Sequence, residues 1–193
     1  MLEARIMATP APVNQERLEA MSTAFTFNQI RNSVSILIEM EEEAYRKEGA
    51  SEQDVINRIR QMGKKIGQDF SRYWTPTQKG IENMLISMYK AVFSSNVTIE
   101  EPADKQTVHH DYRDKKVYDV IDSKCPLCKD KRSTNISGCE LVVGVIEGMF
   151  EAIAEREPDS DIPALKGDEV LESRTRGDDR CKHRYVLERP DHK

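Results

Sequence analysis

Gly144-Val145-Ile146-Glu147-Gly148-Met149-Phe150-Glu151 is the stretch on which the fold turns. Its two glycines stand four apart on one side of a helix, so a strip of that helix carries no Cβ and another backbone can approach it closely. Each glycine costs about 1 kcal/mol relative to alanine in a helix interior, and close packing is the term that offsets this. Extending the stretch in both directions adds Leu141, Val142 and Ile153 to Val145, Ile146, Met149 and Phe150. The result is a wide apolar surface on a helix beginning near Ser137, expected to be the most buried helix of the chain.

Three helices are expected before it. Phe27, Ile30, Val34, Leu37, Ile38 and Tyr45 share one stripe, with Glu39, Glu41, Glu42 and Glu43 mostly on the other side and Gly49 as the stop. The second helix starts at Ser51, with Asp54 in the capping-box position, and buries Val55, Ile59, Met62, Ile66 and Phe70. In the third, Thr75 reads as the cap and Pro76 as the first helical residue, ahead of Ile81, Met84, Leu85, Met88 and Val92. Methionines at this spacing fill core gaps or make a deformable lining for an apolar ligand.

Strand patterns separate and follow these helices. Thr107–Tyr112 and Lys116–Asp122 alternate around the turn Arg113-Asp114-Lys115, and Glu169–Thr175 and Cys181–Leu187 do so around Gly177-Asp178-Asp179. His109 and His110 face opposite ways on such a strand and read as ordinary strand residues. On the last strand Cys181, His183, Tyr185 and Leu187 share a face. The fold class is therefore α+β, with four helices and two antiparallel hairpins forming a small sheet. Residues 1–22 are expected to be a flexible leader, 23–188 a single domain and 189–193 a mobile tail.

The chemistry-bearing residues are four cysteines. Cys125-Pro126-Leu127-Cys128 presents two thiols from one tight turn, and Cys139 and Cys181 complete a set of four, the number that a structural zinc takes. On the alternative reading Cys139 and Cys181 are small buried apolar residues and the Cys-x-x-Cys pair is a redox dithiol. A disulfide framework is disfavoured, because no secretory signal precedes the chain and its 193 residues need no staples. No phosphate-cradling loop, His-Glu-x-x-His or Gly-x-Ser-x-Gly is found. The formal net charge is −5, which disfavours a general nucleic-acid binder. With no apolar run near the roughly 20 residues of a membrane span, a cytoplasmic protein is expected.

Taken in order, several segments resemble the small TRAPP vesicle-tethering subunits of the Bet type and their prokaryotic relatives, the vinyl-reductase-type (hydrocarbon-binding) domains. The resemblance spans about residues 25 to 188. It is carried by Met62-Gly63-Lys64-Lys65-Ile66-Gly67, by Ser87-Met88-Tyr89, and above all by Gly144–Glu151 followed by Leu165-Lys166-Gly167-Asp168. Cys139, Glu172, Gly177 and Cys181 reproduce a pattern that holds structural zinc in the prokaryotic branch, while Thr175 stands where that branch keeps a thiol. The resemblance thus implies a zinc on Cys125, Cys128, Cys139 and Cys181, the first two replacing the missing thiol, with Glu172 or His183 as alternative donors.

It further implies dimerisation through the helical layer, with itself or a related TRAPP-like subunit, and a non-enzymatic interaction or assembly role in vesicle transport. The alternative is a sensor or carrier of a lipid or other apolar molecule. The eukaryotic branch carries an acylated cysteine near its third helix. This chain offers Ser71 and Trp74 there and no cysteine before Cys125. Arg31, Arg58 and Arg60 are candidates for a basic surface that touches membranes or partners; the competing reading is ordinary solvated helix faces.

Overall fold

A computed structural model describes residues 36–102, 115–128, 136–157, 162 and 164–188. Helix α1 occupies 36–48. It ends at Gly49 (φ 74°), where the Ala50 amide donates to the Tyr45 carbonyl at 2.9 Å. Helix α2 is Glu52–Phe70, opened by the expected capping box: the Asp54 amide donates to Ser51 Oγ and the Ser51 amide to Asp54 Oδ2. Helix α3 is Ile81–Phe93 and helix α4 is Cys139–Arg156. Four strands, β1 (Thr98–Glu100), β2 (Val117–Asp122), β3 (Ala164–Glu172) and β4 (Cys181–Glu188), make one antiparallel sheet in the order β1-β2-β4-β3. The α+β class is as expected, with both strand pairs joined edge to edge.

Three boundaries differ from the sequence reading, each for a physical reason. Helix α3 does not begin at Thr75-Pro76, because Gly80 at φ 90° interrupts the chain just before Ile81. Thr75 Oγ1 instead accepts a hydrogen bond from Arg156 Nη2 at 3.3 Å. Strand β3 begins at Ala164, five residues before Glu169, because irregularities at Gly167/Glu169 and Val170/Glu172 break its alternation. Beyond it, Arg174–Arg176 form a single 3₁₀ turn that ends on Gly177 at φ 104°. Thr107–Tyr112, Phe27, Ile30 and Val34 lie outside the described residues; the described neighbours of β2 are β1 and β4.

Helix α4 is the centre of the molecule, packed against α2 and against β3. Twelve of its eighteen residues are buried, which is why it reads as apolar nearly all round. Its glycines do what their spacing implies. A Cβ on Gly144 would stand 2.2 Å from the Arg60 carbonyl oxygen, and one on Gly148 2.1 Å from that of Lys64. The arrangement is reciprocal: a Cβ on Gly63 would meet the Leu141 carbonyl oxygen at 2.4 Å, and one on Gly67 that of Val145 at 2.0 Å. Two helices therefore touch backbone to backbone along a seam of four glycines.

Long polar side chains bridge the rim of this seam. Arg60 Nε donates to Glu140 Oε2 at 2.7 Å, Lys64 Nζ reaches Glu147 (3.3 Å) and Glu151 (3.0 Å), and Gln68 donates to Glu151 at 2.7 Å. On the other side of α4, Leu165 and Val170 of β3 and Tyr185 of β4 complete the main core. No helix among the described residues is long and apolar enough to cross a membrane.

Candidate metal centre

The site forms where the ends of three elements meet. Strand β2 stops at Asp122, a buried carboxylate that accepts from Ser95 Oγ (2.6 Å) and from the Lys124 amide (2.9 Å), fixing the turn that leads into Cys125. Burial, the largest influence, raises the pKa of this carboxyl. Cys125 and Cys128 are joined by a turn in which the Cys128 amide faces the Cys125 carbonyl at 3.4 Å. Cys139 is the first residue of α4, and Cys181 opens β4 opposite Asp122.

All four thiols are free and buried, and their sulfurs lie within 4.8 Å of one another. Cys128 Sγ and Cys139 Sγ are 3.0 Å apart. A tetrahedron with a zinc ion about 2.3 Å from each sulfur has edges of roughly 3.8 Å, inside the range these sulfurs span. Four soft donors in a closed, buried set suit zinc and leave no open coordination position for catalysis.

The charge distribution is already uneven. Hydrogen bonds from Cys125, then from Cys139 and Cys181, hold the Cys128 thiol far below the usual range. The same bond raises Cys125, and burial raises Cys139. Cys128 also sits beside the positive end of the α4 dipole, which favours a thiolate there. The Arg174 amide points at Cys181 Sγ from 3.5 Å.

The other candidates lie elsewhere. Glu172 accepts from Arg180 Nε at 2.7 Å and Nη2 at 3.3 Å, and is not part of the sulfur cluster. His183 is fully buried next to Tyr89, whose hydroxyl lies 2.7 Å from His183 Nδ1 and 2.7 Å from the Tyr185 hydroxyl. Burial pushes His183 down to about 4, so it is neutral, and pushes both phenols up. Thr175 is buried, and its hydroxyl has no partner among the described residues. Ser71 is buried and donates to the Gly67 carbonyl, and Trp74 stands against Phe70 with ring centroids 6.2 Å apart.

Arg58 and Arg60 are both engaged within the chain. Arg58 is held by Tyr45 Oη (2.9 Å) and Glu41 (3.0 Å), and Arg60 by Glu140 and the carbonyls of Gly167 and Asp168. Arg31, His109 and His110 lie outside the described residues.

Two participants escaped the sequence reading. Ser137 Oγ accepts the Cys139 amide at 3.0 Å, and Ser173 Oγ lies 2.6 Å from it. The serine just before α4 was a visible capping signal; the other carries none, since only the fold brings it there.

No protein-family model matches the chain. No curated protein matches it in sequence. Among solved structures the fold is similar to trafficking protein particle complex subunit 3 from Naegleria fowleri, a protein seen covalently bound to palmitic acid. The TM-score is 0.64 at 14% identity, over 86% of this chain and 97% of that chain, so the fold of this chain is TRAPP-like.

Proposed function

We propose that the chain is a non-enzymatic interaction or assembly module of the vesicle-tethering type, which dimerises and carries a structural zinc on Cys125, Cys128, Cys139 and Cys181. The observation that carries the zinc is the convergence of four buried sulfurs within 4.8 Å. The TRAPP-like fold supports the assembly role, and the absence of an open position in a four-sulfur site argues against chemistry at the metal. The zinc fastens the start of α4 to the β2–turn segment and to β4, holding the surface that a partner meets rather than meeting it. The prokaryotic vinyl-reductase-type branch is the kinship that the cysteine positions favour.

A carrier of a lipid or other apolar molecule is the second reading, favoured by the palmitic acid on the structural neighbour. The cleft beside α2 and α4, about 390 Å³, argues for a more polar occupant, because Gln53, Arg60, Glu140, Asp168, Glu169 and Arg176 line it beside Ile56 and Val170. A native mass spectrum of protein purified without chelator separates these readings. A dimer with one zinc per chain and no lipid is expected. Loss of all zinc, together with unchanged thermal stability in Cys181→Ser, overturns the metal centre; a monomer overturns the assembly role; a retained fatty acid moves the function to the second reading.

A further inference from the structure

We infer that Ser137 and Ser173 are the outer hydrogen-bonding shell of the sulfur site, and that one hydroxyl proton of this pair is committed to a cysteine sulfur. The inference rests on the metal-centre reading and adds residues that do not themselves ligate.

The count of protons carries it. Both side chains are buried, at 2% and 0% exposure, so bulk water is not their partner. Ser137 Oγ already accepts the Cys139 amide (3.0 Å), and Ser173 Oγ accepts the Thr175 amide (3.2 Å). The two oxygens are 2.6 Å apart, which requires one hydroxyl to donate to the other. One hydroxyl proton of the two is left, and leaving it unpaired in the interior would cost about 1–3 kcal/mol.

Among the described residues the acceptor in reach is a sulfur. Cys128 Sγ lies 3.4 Å from Ser137 Oγ, and Cys139 Sγ lies 3.9 Å from Ser173 Oγ. If Ser173 donates to Ser137, then Ser137 donates to Cys128. The other orientation leaves the Ser173 proton without an acceptor among the described residues, because in the 3.9 Å contact the Cys139 thiol is the donor and Ser173 Oγ the acceptor. The first orientation is the one that pairs both hydroxyl protons, and in it Cys128 receives the remaining one.

A donor at that place has a defined effect on a four-thiolate site. It draws charge off one sulfur, lowers the repulsion among four anionic ligands and fixes the direction of the sulfur lone pairs. Ser137 and Ser173 are positioning residues, acting on the metal through Cys128, Ser137 directly and Ser173 through Ser137. Loss of such outer partners typically weakens metal affinity about 10–100-fold.

The test uses the full-length chain loaded with cobalt(II) in place of zinc, since sulfur-to-cobalt charge-transfer absorption reports on the sulfurs directly. Ser137→Ala is expected to move that band to lower energy, and in a zinc competition against a chromophoric chelator to bind about 10–100-fold more weakly. Ser137→Thr, which keeps the hydroxyl, is expected to restore both. Ser173→Ala should shift the band in the same direction, and it carries the inference alone if Ser137→Ala does not fold. A wild-type band together with unshifted bands and unchanged affinity in the alanine variants overturns the inference, even where their thermal stability falls. A wild-type protein without any sulfur-to-cobalt band overturns the metal reading, and this inference with it.

Discussion

The glycine seam between α2 and α4 and the sulfur cluster at the start of α4 hold the same helix by opposite means. At the seam nothing is added: side chains are removed until carbonyl oxygens of one helix rest where Cβ atoms of the other would be. At the cluster four reactive side chains are brought together, with two serine hydroxyls between α4 and the end of β3. The first device works whatever the solution contains, because dispersion and close packing need no cofactor. The second depends on what is bound. One helix is thus gripped along its length by shape and at its first residue by chemistry, and perturbations of the two should differ less in size than in what they depend on.

Metal removal is expected to give the largest effect. A ligand present at 1,000 times its dissociation constant stabilises the folded state by about 4 kcal/mol, so stripping zinc with a strong chelator should lower thermal stability by at least that much. Cys181→Ser should reproduce the loss in metal-loaded protein and change far less in chelated protein, as thermal unfolding with and without zinc would show. Equal losses in both conditions would mean that the cluster is only core packing.

Gly148→Ala comes next. Alanine is the better helix former by about 1 kcal/mol, yet its Cβ would lie 2.1 Å from the Lys64 carbonyl oxygen, and backbone has little freedom to move away. Overpacking typically costs about 1–3 kcal/mol, and a net loss near the upper end is expected in denaturant unfolding. The loss should be the same with and without chelator. A chelator-dependent loss would show that the seam and the cluster fail together.

Thr175 offers a smaller change of opposite sign. Its hydroxyl is buried without a partner among the described residues, so Thr175→Val, nearly equal in shape, should stabilise by about 1 kcal/mol. Equilibrium unfolding of the metal-loaded protein checks it. A loss of stability would reveal a role for that hydroxyl in the sulfur site.

What was readable in the chain follows the same division. The capping box at Ser51 and Asp54 spans three residues and needed only local rules. The pair Gly144 and Gly148 was visible within its own helix, as a strip without Cβ, but that Gly63 and Gly67 face it is a tertiary fact. The cysteines stood out because zinc limits the residue types that can bind it; Ser173 did not, since it lies 36 positions from Ser137 and serines at that distance have no pattern. Thr75 misled because a good local cap was outweighed by Gly80 and by a long-range bond from Arg156. Strand β3 was placed too late because its bulges hide the period of two that marks a strand.

The weakest expected effect probes whether the two regions are joined through α1. Glu42 is buried on α1, near Arg46 at 4.0 Å, and its carboxylate takes the amide of Ile136, three residues before Cys139. Burial raises the pKa of Glu42, outweighing the Ile136 bond and the charge of Arg46. The folded state therefore holds this proton more firmly than the unfolded chain does. Ionisation of the carboxyl costs stability at neutral pH, and the cost fades as pH falls through the folded pKa and is gone below the ordinary value of 4.5. Glu42→Gln keeps an acceptor for Ile136 and carries no charge. It should stabilise by less than about 1 kcal/mol at pH 7 and by nothing below pH 4.5, as denaturant titrations at the two pH values would report. Glu42→Ala removes the acceptor altogether. If zinc affinity then stays at the wild-type value, α1 and the cluster are independent; if it falls, the helical layer reaches the metal through a single backbone amide.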